Sequence, residues 1–255
     1  MPKQLAPNVW LVQERFRFLY LVEIGANCLA VKVPRARTAG GTASAPHLLL
    51  LLNPPPMTAA ALADIRAVEA AAGAAVEVLL SPGDWHHFSL PAAAEAFPQA
   101  ALYCFERCLR KQPALRGRAR VLDPRAPAVP ELGDAVALVS VEGFSMDGMP
   151  WLMSGEPRGA ARVELAALDR ESGTLFLNDV LFAPAAPEKL PSCNTAGFCV
   201  ADAAAAAASL VRVAALGARR AVFAHQALPS CVLEPVGGAQ ALAAILTEAC
   251  KGFKA

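Results

Sequence analysis

Apolar and polar positions along this chain separate into runs of two kinds. Val9 to Gln13, Phe16 to Glu23 and Asn27 to Val33 read as strands, because alternating and β-branched residues favour extended backbone. Gly25 between the last two suggests a hairpin turn. Arg35 to Pro46 is rich in Gly, Ala, Ser and Thr and reads as a surface loop. His47 to Leu52 is a continuous apolar run stopped by Pro54-Pro55-Pro56, the pattern of a strand covered on both faces. A helix follows to about Ala72, with Thr58 as its cap and Gly73 as its terminator. Val76 to Leu80 is the next strand. A short helix (Pro91 to Ala96), a strand (Ala101 to Phe105), a helical turn and a strand near Arg120-Val121-Leu122 come after it.

The second half repeats the order of strands first, helices after. Ala135 to Glu142 is strand-like, and Ala161 to Phe182 carries a hairpin pattern. In the hairpin Arg162-Val163-Glu164-Leu165 alternates, Asp169 to Gly173 turns, and Thr174 to Leu177 runs back to Asn178-Asp179. An alanine-rich helix spans about Ala201 to Leu216 and closes at Gly217. Ala221 to Ala224 is a short buried strand delivering His225, and a helix from Gln240 to Cys250 ends the pattern. Two β-rich stretches, each followed by helices, predict an α/β (α+β) chain with two sheets flanked by helices, not a doubly wound sheet. No strong linker interrupts residues 1–255, so one domain is expected.

Composition narrows the function. Hydrophobic residues make up 55% of the 255 positions, enough for a sizeable core, although much of this is alanine. The net charge is +1, and neither a basic block nor an aromatic-interleaved basic stripe appears, which argues against nucleic acid as a partner. Seven cysteines without a CxxC spacing point to unpaired thiols in a reducing compartment. Cys104 and Cys108 are one helical turn apart and read as small buried hydrophobes before they read as a soft-metal clip. The first residues lack the apolar segment of a secretory signal, and no apolar run is long enough to span a bilayer. A cytoplasmic or organellar protein without a membrane partner is expected.

Chemistry concentrates where strands stop. Ser81-Pro82-Gly83-Asp84-Trp85-His86-His87 follows the apolar strand ending at Leu80 and holds two of the four histidines. Neutral imidazoles beside a carboxylate on a stiff scaffold are what a divalent metal needs. The plain alternative is a helix start with Asp84 as N-cap. Asp179 follows the strand ending at Leu177, and His225 follows Phe223. Glu156, in Ser154-Gly155-Glu156-Pro157-Arg158-Gly159, precedes the hairpin. Each also has an ordinary reading: an Asx turn, a half-buried histidine, a surface acid beside Arg158. Their shared placement at strand ends is the signal.

Over most of its length the order of segments resembles the metallo-β-lactamase superfamily. The hairpin from Glu171 to Phe182 resembles the family segment that carries a bridging aspartate, which falls on Asp179. Ala224-His225-Gln226 resembles the last-histidine segment, and Gly155-Glu156-Pro157-Arg158-Gly159 the middle-histidine segment. The paired His86-His87 and Phe97-Pro98-Gln99-Ala100 are similar to an uncharacterised, divergent branch. The resemblance implies a four-layer αββα sandwich, two mixed sheets packed face to face with helices outside. Laid on the family's H-x-H-x-D-H, the chain has Pro82, Asp84, His86 and His87. Proline has no side-chain donor, so the first metal position is depleted to Asp84 and Glu156. The second retains His86, His87, Asp179 and His225. What this implies is one divalent metal, zinc before iron, on those four residues. Asp84 or Glu156 would serve as base in hydrolysis of a small-molecule substrate of unknown class. The rival expectation is a metal-free, non-catalytic member acting as a binding or scaffold protein.

Overall fold

A computed structural model of the chain describes residues 1–18, 22–35, 46–145, 147, 159–182, 191–193 and 199–250. It divides into two compact units, residues 1–137 with 169–172, and residues 138–168 with 173–255.

The first unit is built on a seven-stranded sheet in simple sequence order. β1 (Lys3–Ala6), β2 (Val9–Phe18), β3 (Val22–Pro34) and β4 (His47–Leu52) pair antiparallel. β5 (Val76–Leu80), β6 (Ala101–Cys104) and β7 (Ala119–Val121) then add in parallel. The change of direction follows from the connections. A tight turn returns the chain antiparallel, whereas a crossover helix sends it back parallel. Helix α1 (Ala59–Ala72) is that crossover between β4 and β5, α2 (Leu90–Ala96) lies between β5 and β6, and α3 (Glu106–Lys111) between β6 and β7.

Sequence logic holds well at α1. Thr58 accepts a hydrogen bond from the Ala61 amide, and Gly73 closes the helix at φ 60°, the left-handed conformation that glycine adopts without cost. Ile65, Val68 and Ala72 pack with Trp10, Val12, Cys28, Leu49, Leu51 and Leu79 in one apolar cluster. The intervening residues Leu48, Leu50 and Leu52 are buried as well, so β4 is covered on both faces, as its unbroken apolar run predicts.

Two expectations fail here. Gly25 is no turn: it lies inside β3, paired with Arg15, because the apolar pattern continues through it and the two strands form one long ladder. Lys3–Ala6 is an unexpected strand that adds to the sheet edge beside β2; its four residues are too few for a period-two signal. Of the expected loop from Arg35 to Pro46, residues 36–45 lie outside the described residues.

The second unit carries a six-stranded sheet in the order β13-β8-β9-β10-β14-β15. These are β8 (Val136–Ser145), β9 (Ala161–Asp169), β10 (Thr174–Leu177), β13 (Cys199–Val200), β14 (Arg220–Phe223) and β15 (Val232–Leu233). A separate two-stranded pair joins β11 (Leu181–Phe182) to β12 (Ser192–Cys193). Helix α4 (Ala203–Ala214) is capped by Asp202, whose side chain accepts from the Ala205 amide, and α5 (Gly238–Cys250) follows β15. The expected hairpin is present as β9 and β10. The pairing that matters most for chemistry is β10 with β14: they run parallel, with Leu177 opposite Phe223.

Candidate metal centre

In the second unit, parallel register puts two donors side by side. Asp179 stands two positions beyond Leu177, and His225 two beyond Phe223. The ladder continues one step further, with the Ala224 amide donating to the Leu177 carbonyl at 3.0 Å. Equal offsets from paired residues bring the side chains together: His225 Nε2 lies 2.7 Å from Asp179 Oδ1. The two keep 17% and 13% of their side chains exposed, so both reach the surface of a buried network. Behind them, Arg162 Nη2 lies 3.1 Å from Asp179 Oδ2 and 2.5 Å from Glu164 Oε1. Arg162 Nε also donates to Glu164 Oε1 at 2.6 Å, and the Asn178 amide donates to Glu164 Oε2. Arg162 and Glu164 are fully buried.

In the first unit the segment after β5 is a chain of turns. Asp84 does not cap a helix; α2 begins only at Leu90, since Ser81 ties the segment down before a helix can start. Its hydroxyl donates to the Gly83 carbonyl at 2.9 Å and to the His86 carbonyl at 3.0 Å. Asp84 is 2% exposed and forms an ion pair with Arg107 of α3. Cys108 Sγ donates to the Gly83 carbonyl at 3.4 Å. Its hydrogen bond with Cys104 and its burial push this thiol well above the usual range, so it acts here as a protonated donor. Trp85 is buried, while Phe88 is exposed and packs with its ring centroid 4.2 Å from that of His87.

The adjacent imidazoles have separate partners and opposite tautomers. The Asn53 amide nitrogen donates to the Asn27 carbonyl at 2.8 Å, which fixes the amide orientation and turns Oδ1 toward His86. His86 Nδ1 lies 2.7 Å from that oxygen and must donate to it. The lone pair of His86 is therefore on Nε2, the atom left to ligate. His87 Nδ1 lies 3.2 Å from Gln112 Nε2, an amide donor, so Nδ1 accepts and the proton sits on Nε2. Burial, then the charge of Lys111, then His86 lower the His87 pKa to about 4, so it stays neutral. Asn53 reaches His86 because the Asn53 amide donates to Leu80 O at 2.9 Å, which sets the ends of parallel β4 and β5 side by side.

Of the sequence-derived candidates, Asp179 and His225 are thus brought together within one unit. His86, His87 and Asp84 share one loop with three different sets of partners. Glu156 and Arg158 lie outside the described residues. Sequence reasoning missed Asn53, Arg162 and Glu164. The alternation at Arg162 and Glu164 matched a strand with a wet face, and only the acid-base pairing two positions apart hinted at burial. Asn53 was hidden as the last residue before a proline stop.

No family model matches the chain, and no curated protein does. Solved structures do. A metallo-β-lactamase from Erythrobacter litoralis superposes with a TM-score of 0.60 at 16% identity, covering 98% of this chain and 95% of that one. A metallo-β-lactamase from Pontibacter korlensis gives 0.55 at 11%, covering 99% of both. The metallo-β-lactamase FIM-1 from Pseudomonas aeruginosa, in its mono-zinc form, gives 0.55 at 12%, covering 98% and 94%. The chain has the metallo-β-lactamase fold, with a mixed sheet in each unit. Among the described residues, no helix is long and apolar enough to cross a membrane.

Proposed function

We propose that the protein is a metal-dependent hydrolase of a small molecule, with one divalent ion held at Asp179 and His225. The observation that carries this reading is the Asp179–His225 pair, 2.7 Å apart at the ends of two register-matched parallel strands. The donor types fit zinc first and iron second. The fit has further support in the chain itself: Arg162, held against Glu164, also meets the far oxygen of Asp179 and so fixes that carboxylate. The P. aeruginosa relative, named as a mono-zinc form, is consistent with a single ion.

A bound zinc ion would supply Lewis acidity and water activation near neutral pH. The chain's own residues would do the positioning. Arg162 holds the far oxygen of Asp179. In this reading Asp84 is structural and not the base, since its buried carboxylate is already matched to Arg107. His87 is a neutral packing residue, held by Gln112.

Elemental analysis after metal-free purification and zinc reconstitution tests the reading. The expected result is one zinc per chain, lost in His225→Ala and in Asp179→Ala with the fold intact. A fully folded wild-type chain that takes up no metal would overturn it and leave the non-catalytic scaffold standing.

A further inference from the structure

Charge bookkeeping around Asp179 points to a device that serves the metal site without touching the ion. A buried guanidinium needs a carboxylate partner, and Asp179 alone would satisfy Arg162. Such a pair would be electrically neutral, and the carboxylate would have little left to offer a second cation. The chain instead places Glu164 against the same guanidinium, 2.5 Å from Arg162 Nη2. It holds Glu164 there with the Asn178 amide on the other oxygen. Arg162 is thereby matched before it reaches Asp179 Oδ2 at 3.1 Å.

Resting on the metal-binding reading above, we propose that Glu164 is a charge-balancing residue and Arg162 a clamp, together fixing Asp179 so that one oxygen faces the ion and Arg162 draws less on its charge. The clamp takes Oδ2; Oδ1 is the oxygen beside His225 Nε2. Neither residue is a ligand, and both act through Asp179. Remove Glu164 alone, and Asp179 is left to neutralise Arg162, so the carboxylate has less to offer a divalent ion that the nearby guanidinium also repels. Remove both charges together, and the repulsion goes, leaving only a looser Asp179.

This sets an order that a purely structural role does not give. Zinc affinity is measured on the full chain by competition with a chromophoric chelator, with circular dichroism to check folding. Wild type should bind most tightly, and Glu164→Gln should weaken binding at least tenfold. The double variant Arg162→Met/Glu164→Gln should recover at least threefold over that single variant. If the pair merely supports the fold, the double variant is no better than the single one, and that result overturns the proposal. Glu164→Asp, which keeps the charge, should stay within threefold of wild type; a tenfold loss there also overturns it, and this variant decides the matter if Glu164→Gln does not fold. A wild-type chain that binds no zinc removes the metal reading and this proposal with it. A wild type that binds while the order fails removes this proposal alone.

Discussion

Asn53 adopts φ 60°, a left-handed conformation that costs a residue other than glycine about 1 kcal/mol, and least for asparagine. A buried hydrogen bond to the Asn27 carbonyl and a part-buried one accepted from His86 Nδ1 hold it there. Asn53→Ala should lose roughly 2–4 kcal/mol, from both bonds and the added backbone strain. Asn53→Gly should lose about 1 kcal/mol less, since glycine bears no such strain. Urea denaturation of the two variants separates backbone from side chain; equal losses would show that strain at this position is unimportant. His87 gives a pH signature. Its folded pKa is depressed to about 4 from 6.5, so between those values the unfolded chain binds a proton that the folded chain does not. Its contribution is complete above pH 6.5 and disappears as pH falls toward 4, with a ceiling of about 3 kcal/mol. His87→Gln should therefore lose less stability than wild type between pH 7 and 4 in denaturation series. Parallel curves would rule out this titration as a source of acid sensitivity.

Elements were legible where local chemistry and long-range pairing agree. Thr58, Gly73 and the apolar run of β4 each state their role in a few neighbouring residues. The Gly25 turn was misplaced because a glycine in a long ladder looks locally like a break, while its partner Arg15 lies ten positions away. Gly143 shows a case where glycine is required. It sits in β8 at φ 90°, and an added Cβ would lie 2.4 Å from the Ala206 amide nitrogen and 2.5 Å from the Asp202 carbonyl oxygen. Its carbonyl accepts from the Ala201 and Asp202 amides at 2.9 and 3.0 Å, joining the strand to the start of α4. Both obstacles are backbone and cannot rotate aside. Gly143→Ala should cost about 3 kcal/mol or more, against about 1 kcal/mol for losing the cap in Asp202→Ala. Thermal unfolding ranks the two; a Gly143→Ala protein as stable as wild type would mean that β8 and α4 separate easily.

For the molecule as a whole, the candidate donors were readable as types at strand ends, while their supporting residues were not. Arg162 and Glu164 look like solvated strand positions, and burial is a property of the assembled sheet. Ligand linkage offers a check at this scale. With free zinc at a hundred times its dissociation constant, the folded state gains about 2.7 kcal/mol, which for a chain of this size raises the melting temperature by roughly 5–10 °C. His225→Ala should melt at one temperature with or without zinc. A zinc-dependent rise that survives in that variant would place the ion elsewhere. The parallel alignment of β10 with β14 has a wider consequence. Asp179 and His225 owe their meeting to two equal backbone offsets, and backbone pairing is indifferent to most of the side chains that carry it. Substitutions can accumulate through both segments while the donors keep their appointment, whereas a single inserted or deleted residue before either one would part them. The meeting point therefore tolerates wide replacement of side chains, so long as the changes are replacements and not shifts in length.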